Sequence, residues 1–182
     1  MSVEAVPGGR RRIDRVLDPR FVADVEALGL DELRSRRSEA EAEERSISYL
    51  RRMMQGRLDI LRAELERRAR GGEHDLSALV AGLPMILSDR GPGSFTAVAR
   101  MHRPEPWDHR RRRIDRLASD ETVARLPDLD TEELTQVVDA LAGAEAVVSA
   151  NRRAVLQVVD LLRGELARRY RKGTASVAQL LE

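Results

Sequence analysis

The sequence predicts an all-α protein: a long antiparallel coiled coil or helical hairpin made by internal duplication, with short helices added. Three observations point there. Of 182 residues, 35% are charged and only 3% aromatic, a balance found in long helices and coiled coils. Between Glu44 and Arg68, Ile47, Met54, Leu58, Leu61 and Leu65 recur at helical spacing and form one apolar stripe. Finally, "RIDRVLDPRFVADVEALGLDEL" from Arg12 returns as "RIDRLASDETVARLPDLDTEEL" from Arg113, an offset of 101 that holds without a gap to "LRAELERR" and "LRGELARR". Across that span 20 of 57 aligned positions are identical, far more than unrelated helices share even in an arginine-rich chain.

The elements follow in order. Residues 1–10, "MSVEAVPGGR", read as a flexible tail, and 11–182 as a single helical domain. Repeat 1 covers about 12–70 and carries a long helix from about Leu30 to Arg70. A connecting segment, about 71–109, is broken by "GG", "GPG" and "RPEP". Repeat 2 covers about 113–171; its helix starts at "LDTEEL", where Asp130 caps and Glu133 stands three residues on, as in a capping box. "KGTAS" stops it, leaving a tail over 172–182. At 1.5 Å per residue each long helix spans roughly 60 Å. Duplication implies a pseudo-twofold, most simply with the two helices antiparallel and their polar ribbons meeting near the centre.

Composition excludes several classes. There is no cysteine, which removes disulfides, thiol nucleophiles and thiolate-bound zinc together. The formal net charge of +1 gives no global field toward nucleic acid or membrane. No apolar run approaches the ~20 residues of a membrane span, and no signal-peptide core is visible, so the expectation is a soluble cytoplasmic protein. No Gly-rich strand–loop–helix unit supports nucleotide hydrolysis, and no shaped pocket for acid–base chemistry is evident. The chain reads as a non-enzyme. His74, His102 and His109 lack ligand spacing, so no metal is expected.

Beside the apolar stripe runs a polar one: Glu44, Ser48, Arg51, Gln55 and Asp59. Their spacing confines them to an arc of roughly 80°. A solvated face explains one such ribbon, but the repeat keeps it. Shifted by 101, Glu44 meets Glu145, Ser48 meets Ser149, Arg51 meets Arg152 and Asp59 meets Asp160; only Gln55 fails, at Leu156. Meanwhile Ile47, Met54 and Leu58 drift to Val148, Val155 and Val159, swaps that a core tolerates. Polar types held in register through that drift point to a function. An arginine can fork onto guanine O6 and N7 or pair with phosphate, and a carboxylate can accept from guanine N1 and N2. Doubled about a twofold, the set fits a cyclic dinucleotide with two guanines. The structural alternative is an interhelical salt-bridge layer, Arg51 to Asp160 and Arg152 to Asp59.

"ERSISYLRRMMQGRLD" and "EAVVSANRRAVLQVVD" resemble the E-x3-S-x2-R-x3-Q-x3-D motif of RsiG-type anti-sigma factors of actinobacteria, the second departing at Leu156. The resemblance covers both long helices. It implies a helical pair with one motif per helix, binding two cyclic di-GMP molecules per chain as a partly intercalated dimer. It further implies that the loaded protein sequesters a WhiG-type sporulation sigma factor, one to one, with no direct DNA or membrane contact. By position, Glu44, Ser48, Arg51, Gln55, Asp59, Glu145, Ser149, Arg152 and Asp160 are then the ligand contacts. A purely structural coiled-coil scaffold and an arginine-rich nucleic-acid binder are the competing classes. The latter leans on "HRRRR" (His109–Arg113), a short run without aromatic partners.

"DLSALVAGLPMIL", from Asp75, lies outside the duplicated unit and is more apolar than a connector needs. It either packs back on the coiled coil or docks a partner; the resemblance assigns it to the sigma surface. Leu79→Glu with Ile86→Glu is expected to leave cyclic di-GMP binding within a few fold by calorimetry. The same change is expected to weaken capture of a WhiG-type sigma factor in pull-downs by several kcal/mol, as roughly follows from losing interface anchors. Normal capture by this variant, or joint loss of ligand and sigma, contradicts that division.

Overall fold

A computed structural model describes residue 6, residues 8–71, residue 81 and residues 125–173. The described residues are helical or irregular, with α1 at Arg12–Val16, α2 at Leu30–Ala69 and α3 at Thr131–Arg171, plus 3-10 turns at Pro19–Phe21 and Leu126–Asp128. The all-α reading is correct, and α2 and α3 start at positions related by the 101-residue offset. Apart from Ala81, the apolar "DLSALVAGLPMIL" lies outside the described residues, as do the "HRRRR" run and all three histidines.

Chemistry at the helix ends matches the sequence. Asp130 caps α3 by accepting from the Glu133 amide at 2.7 Å, while Glu133 accepts from the Asp130 amide at 3.0 Å, the reciprocal box that satisfies two otherwise orphaned N–H groups. Beyond α2 the chain leaves through Gly71 at φ 77°, and beyond α3 through Gly173 at φ 69°. Glycine enters this left-handed region without the Cβ clash that other residues suffer, so both helices stop there.

Leu33, Ala40, Ile47, Met54 and Leu61 recur every seven residues along α2, and Leu134, Leu141, Val148, Val155 and Leu162 do so along α3, none more than 1% exposed. A strict seven-residue repeat is the seam of a coiled coil; these are its d positions, and each α3 member is its α2 counterpart plus 101. Of the a positions, four residues later, Leu58 in α2 is apolar and buried, as are Val138, Val159 and Leu166 in α3, on either side of its two charged a residues. Leu65, expected in the stripe, is only half-buried, and its neighbour Glu64 is buried.

The described chain divides into two compact units, each taking half of both long helices. In the first, Ser2–Ser48 with Val148–Glu182, Arg34 donates to the Tyr170 hydroxyl at 2.9 Å and Arg163 to Glu41 at 3.0 Å. Partners descend along α3 as numbers rise along α2, so the two run antiparallel. α1 docks in this unit through buried Ile13 and Val16. Arg12 donates to buried Glu43 at 2.7 Å and to Ser46 at 3.0 Å, and Arg15 pairs with Glu39. At the end of α3, Arg168 and Arg169 converge on buried Glu165, and Arg169 also donates to the carbonyls of Leu28 and Val25.

The second unit, Tyr49–Val147, contains the same clamp. Arg67 and Arg68 converge on buried Glu64, and Arg68 donates to the carbonyls of Leu129 and Leu126 at 2.7 and 2.8 Å. Every partner is offset by 101 from its counterpart. In each unit the last turn of one helix therefore grips the chain entering the other. The guanidinium satisfies carbonyls of the irregular segment that no helix serves.

These clamps set the acid response. Hydrogen bonds from Arg168 and then Arg169 hold Glu165 at about 2, against an ordinary 4.5. Hydrogen bonding from Arg11 likewise brings Asp14 from 3.8 to about 2, and Glu64 moves the same way through Arg67 and Arg68. Folded values below unfolded ones mean that on acidification the unfolded chain takes up protons first. The contribution is complete above about pH 4.5 and is lost as pH falls toward about 2. Urea unfolding followed by circular dichroism should show the midpoint falling across that window, less steeply in Glu165→Gln. A midpoint that is flat or rises on acidification contradicts the clamp.

Candidate functional site

The polar ribbons enter the coiled coil where its a positions cease to be apolar. Glu44 and Arg51 occupy consecutive a positions of α2, and Glu145 and Arg152 those of α3, each half-buried. Ser48, Gln55 and Ser149 stand at the adjoining e positions and are also half-buried, as is Asp59, while Asp160 is exposed. In a coiled coil the a and d side chains face the partner helix. The motif therefore puts two opposite charges per helix into its seam, with hydroxyl and amide groups at the seam's edge.

In the first unit, Arg152 donates to Ser48 Oγ at 2.7 Å and stands 3.2 Å from Glu44 Oε1, while Ser48 donates to the same Glu44 oxygen at 2.6 Å. Three motif residues from two helices thus form one closed cluster. In the second unit, Arg51 Nε stands 3.3 Å from Glu145 Oε1, which also accepts from Gln55 Nε2 at 3.0 Å. Within each unit the arginine's carboxylate partner is a motif glutamate, whereas the salt-bridge layer drawn from sequence pairs it with an aspartate. Leu156 replaces an amide that, in the other half, holds its glutamate in place.

An open cavity of about 360 Å³ lies in the second unit, lined by Gln55, Leu58, Asp59, Arg62, Ala142 and Glu145. That size is within the range of small-molecule sites. Three of its six lining residues belong to the ribbons, and Leu58 supplies an apolar floor. Among the described residues, no group of three or more His, Asp or Glu side chains is placed to hold a metal, and none of the helices is long and apolar enough to cross a membrane.

A family model described as RsiG-like matches residues 19–87 and 120–182, which include both long helices and all nine ribbon residues. The chain belongs to the RsiG-like family. Its relatives are regulatory and non-catalytic, linked to anti-sigma control of transcription. No curated protein matches the chain. Within this RsiG-like protein the sequence reading missed the Glu64–Arg67–Arg68 and Glu165–Arg168–Arg169 clamps. Their signal was present in the identities of "LRAELERR" and "LRGELARR", but the carbonyls they grip belong to the tertiary structure. It also passed over Arg62, whose position at the cavity depends on which helix face opens.

Proposed function

We propose that this protein is a cyclic di-GMP-dependent anti-sigma factor. Two ligand molecules seat on the motifs of the two long helices, and the loaded protein holds a WhiG-type sigma factor away from RNA polymerase. Residues 11–182 act as one helical domain, a monomer with internal pseudo-twofold symmetry that binds sigma one to one. The observation that carries this reading is the pair of in-register Glu–Arg contacts at a positions, Arg51 with Glu145 and Arg152 with Glu44. Their arginine side chains stay about a third exposed, at 35% and 33%. Ion pairs this accessible contribute roughly 0–1 kcal/mol each, whereas burying a leucine at the same place contributes roughly 1.5–3 kcal/mol. A scaffold selected for stability has no reason to keep both pairs through a duplication.

A ligand has use for them. In the free protein each glutamate holds an arginine within the seam, pre-positioned and half-hydrated. A guanine face or a phosphodiester then exchanges one charge-assisted partner for another, which limits the reorganisation that binding requires. Arginine donors suit guanine O6 and N7 or phosphate oxygens; the carboxylates of Asp59 and Asp160 suit N1 and N2; Ser48 and Ser149 suit phosphate or ribose oxygens. Gln55 supplies an amide to one half, and Leu156 leaves the other without it.

Calorimetry with cyclic di-GMP is expected to give two ligands per chain and much weaker binding of cyclic di-AMP, because adenine lacks O6 and a donor at N1. Arg51→Ala and Arg152→Ala should each remove a contact of about 1.5–3 kcal/mol, roughly one to two decades of affinity, with helicity retained. One ligand per chain, or equal affinity for the adenine dinucleotide, overturns the reading.

A further inference from the structure

The duplication is symmetric at one more arginine and asymmetric at its partner. Arg62 and Arg163 are equivalent by the 101-residue offset, both exposed on the helix surface. Across from Arg163 in its unit stands Glu41, which accepts at 3.0 Å from Nε and pairs at 2.9 Å with the terminal guanidinium nitrogen. The equivalent of Glu41 is Ala142. Alanine offers no acceptor, and among the described residues Arg62 makes no hydrogen bond or ion pair. The cavity lies at this place, lined by Arg62 and Ala142 together with the motif residues Gln55, Asp59 and Glu145.

We infer that Arg62 is a ligand-contacting residue outside the five-residue motif, and that it makes the two half-sites unequal. This rests on the dinucleotide reading above and deepens it. A guanidinium at an open cavity rim, one helical turn beyond Asp59, faces the charged and most water-exposed part of a seated dinucleotide: its phosphodiester. Asp59 and Glu145, as carboxylates, repel that group and suit base donors, so they leave the phosphate to Arg62. Ala142 contributes by absence, giving the ligand room and leaving the cation unneutralised. In the other half Glu41 engages Arg163, and Leu156 replaces the amide of Gln55. The half with Gln55 and Arg62 is therefore the stronger one.

The test is calorimetry on the full chain with cyclic di-GMP, at low salt and at high salt. Arg62→Ala should weaken the tighter binding event about tenfold, with Arg163→Ala within two- to threefold of wild type. Ala142→Glu, which copies the Glu41 arrangement while keeping Arg62, should weaken binding about as much as Arg62→Ala. Arg62→Lys should retain most of the affinity, since a phosphate accepts a point charge. The gap between wild type and Arg62→Ala should narrow at high salt, as an exposed charge contact is screened. Position 62 is exposed and alanine favours helix, so circular dichroism should be unchanged. If wild type binds two ligands but Arg62→Ala does so equally well, or Arg62→Ala and Arg163→Ala lose affinity alike, the inference is wrong and the dinucleotide reading stands. If wild type binds no ligand, both fall.

Discussion

The d-position seam carries the structure. An isolated helix as charged as α2 has little to hold it in water, since propensity alone stabilises long helices only marginally. Five d residues on each helix, none more than 1% exposed, supply the burial that fixes both. At roughly 1.5–3 kcal/mol per large side chain they outweigh any surface ion pair in the molecule. With that seam in place, the a positions need not all be apolar. Where Glu44, Arg51, Glu145 and Arg152 occupy them, the coiled coil gives up packing and gains a polar line open to water. The candidate site exists because one of two seam positions is enough to keep the helices.

Much of this was legible in the chain, because periodicity and caps are local properties. The 3.6-residue rhythm and the Asp130–Glu133 box placed α3 at its observed start, and the 101-residue offset linked the two helices before any contact was seen. Partner identity was less legible. Spacing puts Arg51 and Asp59 on one face, yet which carboxylate reaches which guanidinium depends on the register of two helices and the lean of long side chains toward their own N-termini. Hence Glu145, and not an aspartate, meets Arg51. Leu65 is less buried than the stripe suggests, although its counterpart Leu166, beside the equivalent clamp, is fully packed.

Comparing the two copies separates what each residue is for. Positions identical in both copies include the clamps at Glu64 and Glu165 and the paired a-position charges, and they make equivalent contacts in each unit. Positions that diverged are informative in the opposite sense. Glu43, which receives Arg12 from α1, becomes Ala144; Glu41 becomes Ala142; Gln55 becomes Leu156. Each change removes a polar partner from one copy only. Duplication supplied two equal halves, and substitution at a few positions, from buried Glu43 to half-buried Gln55, has since given them different contacts around the same seam.

That the a-position charges serve a ligand and not the fold can be tested by replacing them with what a coiled coil prefers. The measurement is thermal unfolding of the chain carrying Glu44→Leu, Arg51→Leu, Glu145→Leu and Arg152→Leu, with and without cyclic di-GMP. The account predicts a midpoint above that of the wild type, because apolar side chains pack the seam better than half-exposed ion pairs, and no further rise on adding ligand. A midpoint below the wild type, or a ligand-induced rise that survives all four substitutions, contradicts it.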